Sequence, residues 1–334
     1  MDYPFELSVL IPCYNVDRYL DLSLWCLEQQ WDDEESMEIV FVNDGSTDGT
    51  LKKLQSYCRK HPNNTVLINK EKNGGVAQAR NDALKVARGR WITFFDPDDA
   101  LSAGAYQALY NDYLDDKVDI LSFETNIVLG ADVLPLPHYR GQVVWEGDSK
   151  AFYKKYQTDV TWDLIYSHQL LDRLGASFQG VSFLEGELFN LDVFLNEGIR
   201  VRRVSSDSYY YIARSSSLSS VGNSPDNFEK VQDLMTVIEY MELKKQQHQD
   251  DTRLVERIQM KQCRVARRLV PLFLRCDQVD SNRINQIRQQ LKQWDINPYK
   301  TFTGGLKDAS YNLMLHWPGV LMALRPALKR FLSR

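Results

Sequence analysis

Five short apolar runs, each ending abruptly in polar turn residues, constrain this chain more than any other feature. They are LSVLIPCY (7–14), MEIVFVND (37–44), TVLINK (65–70), RWITFFD (90–96) and VDILSFET (118–125). Their length and β-branched content mark buried strands. Between them, segments 16–30, 49–59, 75–87 and 102–114 carry helical spacing. Strand and helix in alternation imply an α/β chain whose largely parallel sheet is covered by helices on both faces. Such sheets bind ligands beyond the carboxyl ends of their strands. That rule gathers Pro12 to Asn15, Asn43 to Asp48 and Asp96 to Asp99 on one rim.

Past Leu129 the alternation weakens. Helices are expected over AFYKKYQ (151–157), WDLIYSHQLLDRL (162–174) and 188–196, a loop over FQGVSFLEGE (178–187), and a strand pair from RVRRVS (200–205) and SYYYIA (208–213). The Ser/Gly/Pro/Asn stretch 215–227 reads as a boundary, after which helical periodicity dominates. The expected division is a domain over 1–220, with a binding half at 1–125 and a second half at 126–220, followed by a helical region at 221–334.

Charge is unevenly spread. Residues 1–250 carry a net −15 and residues 251–334 a net +10, within a total of −5. A basic tail on an acidic body points to an anionic surface. The last segment, YNLMLHWPGVLMALRPALKRFLSR, places Leu313, Trp317, Val320, Leu321, Leu324, Leu328, Phe331 and Leu332 on one stripe and crowds Arg325, Lys329, Arg330 and Arg334 near its end. An apolar face opposed by a basic one suits a helix lying in the plane of a membrane. Aromatic residues among the charges of 251–300 are sparse, which argues against nucleic acid. The N-terminus has neither a basic n-region nor a long apolar core, and no run reaches the length of a spanning helix. The five cysteines are scattered without CxxC or Cys/His clustering, as in a reducing compartment. These readings place the protein in the cytoplasm, peripheral on the inner face of the cell membrane.

Three motifs carry chemistry. FVNDGSTDGT ends a strand in a carboxylate able to accept from a base or ribose and supplies turn and cap residues. KNGGVAQARN sets Gly74 and Gly75 at a helix start, where N–H groups attract an anion, with Arg80 further in. FFDPDD offers Asp96, Asp98 and Asp99 as hard oxygen ligands for Mn2+ or Mg2+. Three like charges on one turn repel, so something must offset them.

With LSVLIPCYNVDRYLDLSL, EIVFVNDGSTDGT, NGGVAQARN and ITFFDPDDALS taken together, the chain resembles the nucleotide-binding half of family 2 glycosyltransferases. WDLIY, FLEGELFN and SYYYIARSSSLS resemble acceptor-side signatures of the bacterial polysaccharide branch. The resemblance implies a GT-A fold: a Rossmann-like nucleotide-binding mixed sheet flanked by helices, here with a mostly helical C-terminal extension. It implies that Pro12, Tyr14 and Asn15 border the nucleotide of a UDP-sugar donor, that Asp44 faces the base, and that Arg80 lies near the diphosphate. Asp98 would bind the Mn2+ or Mg2+ directly, Asp96 would lie nearer the ribose, and Asp99 would line the donor-sugar pocket. The general base implied is the Asp of a Glu-Asp pair, where this chain has Gly186, so Glu187 or Glu185 would take the role. Tyr209, Tyr211 and Arg214 would line the acceptor or reach the donor phosphate, although aromatic residues alternating on a strand are more often core. The implied activity is inverting, metal-dependent sugar transfer to a glycan or lipid-linked glycan acceptor in bacterial surface polysaccharide synthesis. The alternatives are an inactive nucleotide-sugar-binding scaffold, or a nucleotidyltransferase that makes the activated sugar.

Overall fold

The computed structural model describes residues 3–31, 33, 36–129, 141–156, 159–213, 227–297, 315–319 and 322–326. They fall into two compact units, Met1–Gly180 with Glu185–Arg214, and Val181–Leu184 with Ser215–Arg334.

The first unit is a nine-stranded mixed sheet flanked by helices. Strands β1 (Phe5–Cys13), β2 (Met37–Asp44), β3 (Thr65–Lys70) and β4 (Gly89–Phe94) pair in parallel in the order β3-β2-β1-β4. Helices α1 (Leu20–Glu28), α2 (Thr50–Lys60) and α3 (Val76–Leu84) connect them. Every residue of β2 is buried, as expected of a strand covered on both faces. After the two-residue β5 (Ala100–Leu101) and α4 (Ala105–Tyr113), β6 (Ile120–Leu129) enters the sheet. β7 (Gly141–Asp148), α5 (Ser149–Lys155), β8 (Leu164–Ser167), α6 (His168–Leu174), α7 (Glu185–Phe194) and β9 (Arg200–Ala213) complete the unit. The sheet continues β4-β8-β6-β9-β5, with β7 on β9.

The second half departs from the sequence expectation in four places. WDLIYSHQLLDRL is not one helix: Leu164–Ser167 forms β8, antiparallel to both β4 and β6, and only His168–Leu174 is helical. Two strands with free backbone groups on either side outweigh helical spacing in so short an apolar run. The expected strand pair is a single strand, β9, because the Ser/Asp segment between its halves is absorbed where the β6 ladder shifts register between Phe123 and Thr125. The loop 178–187 ends early, since α7 begins at Glu185. β7 has no counterpart in the expected elements.

The second unit is helical: α8 (Asn227–Gln247), α9 (Thr252–Ala266), α10 (Leu269–Arg275) and α11 (Ser281–Gln293). Asp251 caps α9 by accepting from Leu254 N at 3.1 Å, and Asp280 caps α11 by accepting from Arg283 N at 2.8 Å. α10 buries Leu269, Val270, Leu272, Phe273 and Leu274 at its centre. Of the expected basic amphipathic tail, only 315–319 and 322–326 are described. There Trp317 and Leu324 are exposed, while Arg325 is 6% exposed and donates to Val279 O at 2.5 Å. Arg325 thus serves the interior of this unit instead of a basic outer face. The other tail residues, and Arg214, lie outside the described residues. No described helix is long and apolar enough to cross a membrane.

Candidate active site

The strand ends of β1, β2 and β4 deliver their polar turns to one rim, as parallel register requires. At the first, Asn15 adopts φ +52°. Its side chain accepts from Thr47 N at 2.8 Å, and its own N–H donates to Ser46 Oγ at 3.0 Å. Asn15 therefore ties the turn after β1 to the turn after β2. Tyr14 beside it is 46% exposed.

Asp44 closes β2 and is 2% exposed. Its two carboxylate oxygens accept from Gly74 N and Gly75 N, each at 2.9 Å, and Lys70 Nζ lies 2.6 Å away. The anion held at the start of α3 is thus Asp44 itself. The diphosphate expected against Gly74 and Gly75 meets N–H groups that are already satisfied. Gly45 makes the approach possible: at φ +71° a Cβ would stand 2.7 Å from Asn73 N and Lys72 C, both backbone.

The acidic turn after β4 is gripped from below. Ser23 of α1 donates to Pro97 O at 2.6 Å and to Asp99 O at 3.0 Å. Gln30 holds Ser102 O at 2.9 Å and Tyr106 N at 3.1 Å. The three acids have separate fates. Asp99 is 1% exposed and points into β9, accepting from Tyr209 Oη at 2.8 Å and Ile212 N at 2.9 Å. Its contacts are to protein, so the pocket wall expected of it is not what it builds in this conformation. Burial, with the Asp96 and Asp98 charges, pushes its carboxyl up to about 8. Burial thus favours its neutral form, and a proton held there would leave two charges of the three and relieve much of the repulsion. Asp96 and Asp98 stay half-buried at the rim.

Asp96 is engaged by Arg80. One Nη of the guanidinium donates to Asp96 Oδ1 at 2.9 Å and the other to Glu185 Oε1. The Arg80 side chain is 5% exposed, with its guanidinium carbon 5.5 Å from the Phe178 ring centroid and 5.9 Å from that of Phe94. Phe178 stacks on Phe189 of α7 at 4.2 Å, and its backbone is clasped by Asn81 through bonds of 2.7 and 2.9 Å. One arginine therefore spans the acidic turn after β4 and the start of α7. Sequence reading missed this link, although Asn81 next to Arg80 and the aromatic Phe178 were signals for it.

Glu185 and Glu187 both lie in the first turn of α7, where acids complement the helix dipole. Glu185 is 14% exposed on its side chain and Glu187 is 3% exposed. A Cβ on Gly186 would sit 3.4 Å from Asp159 O and 3.5 Å from Thr161 Cγ2, ordinary contacts, so packing does not forbid a side chain there. Trp162 stacks between Tyr209 at 4.7 Å and Tyr211 at 5.9 Å, a parallel aromatic set behind the acidic turn.

Among the described residues, no group of three or more His, Cys, Asp or Glu side chains converges as a metal cage. Asp96 and Asp98 still fit a hard cation that completes its shell with water and phosphate, because both are oxygen donors at the rim.

Residues 8–173 match the family model described as glycosyl transferase family 2. The minor teichoic acid biosynthesis protein GgaB of Bacillus subtilis is 38% identical over 118 residues, 35% of this chain and 13% of that protein. A poly(ribitol-phosphate) beta-glucosyltransferase of Bacillus spizizenii is 26% identical over 254 residues, covering 71% of this chain and 37% of that one. In both cases the chain spans well under half of its relative's length. Among solved structures, S. aureus TarS 1-349 in complex with UDP-GlcNAc superposes with a TM-score of 0.56 at 20% identity, over 88% of this chain and 90% of that chain. The likeness is one of fold, a GT-A sheet and a helical region.

Proposed function

Because this chain carries a family 2 glycosyltransferase domain, we propose that it transfers a sugar, with inversion, from a UDP-sugar to a hydroxyl of a glycan acceptor in bacterial surface polymer synthesis. Relatives named for teichoic acid biosynthesis and poly(ribitol-phosphate) glucosylation support that acceptor class, and the UDP-GlcNAc complex of a protein of like fold supports the donor class. The observation that carries the reading is the Arg80 bridge, which sets the acid Glu185 beside the donor-side acid Asp96.

Each group then has a task. Pro12, Tyr14 and Asn15 border the nucleotide, and Asp44 fixes the Gly74-Gly75 turn while facing the base. Asp98 and Asp96 would hold Mn2+ or Mg2+, which supplies a Lewis acid for the leaving diphosphate. Asp99 acts from below by locking the acidic turn to Tyr209 and β9. The acceptor hydroxyl loses its proton to a carboxylate at the start of α7. Glu185 is favoured over Glu187 because it stands beside Asp96 and is the less buried. The acceptor is a glycan, lipid-linked where the basic C-terminal region meets an anionic membrane surface from the cytoplasmic side.

Glu185→Gln and Glu187→Gln, each assayed for UDP release and for donor binding, test the base. Loss of about 100-fold or more in turnover for one variant, with donor still bound, assigns the role. Near-normal rates in both would remove the carboxylate base from the account.

A further inference from the structure

Arg80 is committed twice. Its guanidinium binds Asp96 from the turn after β4 and Glu185 from the start of α7 through its two Nη atoms, and its Nε–H is buried with no acceptor. A buried guanidinium whose Nε–H has no acceptor retains unused affinity for an anion. Lys70 and the start of α3 are already matched. Lys70 lies 2.6 Å from Asp44 and 3.6 Å from Asp82, and the first N–H groups of α3 are taken by Asp44. Phe94 and Phe178 hold the guanidinium against their rings and contribute no competing acceptor.

From this arrangement we infer that Arg80 couples donor binding to Glu185: a nucleoside diphosphate at the rim competes with Glu185 for the guanidinium, and the carboxylate is released only when donor is in place. The inference rests on the proposed donor class and goes beyond it, since it makes Arg80 a positioning residue that withholds Glu185 until donor arrives. A diphosphate brings more charge and more oxygen acceptors to a planar fork than a single carboxylate does, so the exchange runs toward the donor. The existing ion pair must lower donor affinity, because binding has to break it, and by linkage removing Glu185 must raise that affinity.

The test is UDP affinity, measured by calorimetry in the presence of Mn2+ on the full chain, for the parent protein, Glu185→Gln, Glu185→Ala, Arg80→Lys and the Arg80→Lys/Glu185→Gln double variant, with melting temperatures confirming fold. The expected result is UDP binding about threefold or more tighter in whichever Glu185 variants fold. That gain should vanish in the Arg80→Lys background, because a point charge cannot bridge two acids. A merely structural salt bridge would give the opposite, weaker binding as the rim loosens. Unchanged or weakened UDP affinity in the Glu185 variants overturns the inference, as does an equal gain in the Arg80→Lys background. Absence of UDP binding by the parent protein overturns the donor reading itself, and the inference with it. Tighter UDP binding with normal turnover upholds the coupling and removes Glu185 as base.

Discussion

Arg80 shows what a single residue can and cannot disclose from sequence. Its place one turn into a glycine-led helix marked it for the site, but its partners depend on Glu185, 105 positions away, and on Phe178, which no local pattern connects to it. Removing it strands two carboxylates. Arg80→Ala should cost about 2–3 kcal/mol in urea unfolding, less than a fully buried broken pair because Asp96 retains 26% exposure. Asp163 carries a separate signature. Burial pushes its carboxyl up to about 7 against the opposing pull of Arg203, and its Oδ1 has no hydrogen-bond partner. An ordinary Asp titrates at about 4, so between that pH and about 7 the folded chain holds a proton that the unfolded chain has released. This contribution to stability is full below the unfolded value and is lost as pH rises through that window. Asp163→Asn should flatten the fall in stability from about pH 4 to about pH 7, read from urea midpoints at each pH. An unchanged slope would mean that the carboxylate is ionised in the folded state.

At the scale of elements, the parallel half was legible because each strand announces itself: β2 and β3 fall where the apolar runs predict, at Met37–Asp44 and Thr65–Lys70. The second half was not, because its elements are decided by partners. Leu164–Ser167 becomes a strand only between β4 and β6, and β9 runs unbroken only because β6, β7 and β5 all pair with it. The start of α7 carries the proposed base, and there Leu184 at φ +66° turns the chain so that Glu185 opens the helix against Arg80. Gly186 in that first turn is a conformational liability with room to fill. Gly186→Ala should stabilise the chain by about 0.5–1 kcal/mol, measured as a raised urea midpoint, given that its Cβ would meet nothing closer than 3.4 Å. A fall in the midpoint would show that the backbone of 159–161 cannot tolerate that contact.

For the molecule as a whole, the opposed charges of residues 1–250 and 251–334 were visible by counting, and so was the change from alternating to helical patterning. What the basic region meets was not visible, because that depends on which cations turn inward, as Arg325 does toward Val279 O. If residues 311–334 hold the chain to anionic lipid, deleting them should abolish sedimentation with phosphatidylglycerol vesicles at low salt, and binding by the full chain should weaken as salt rises. Equal sedimentation of both chains would remove the tail from that role. The central claim is that the rim formed by Asp96, Asp98, Arg80 and Glu185 transfers sugar from a UDP-sugar. Its most direct test is UDP release from a panel of UDP-sugars with a glycan acceptor present, comparing the full chain with Asp98→Asn and with the full chain in EDTA. Release is expected with at least one UDP-sugar, restored by Mn2+ after EDTA and reduced about 100-fold or more in Asp98→Asn; release that is indifferent to both EDTA and Asp98→Asn, or no release from any UDP-sugar, would rule out metal-dependent transfer at this rim.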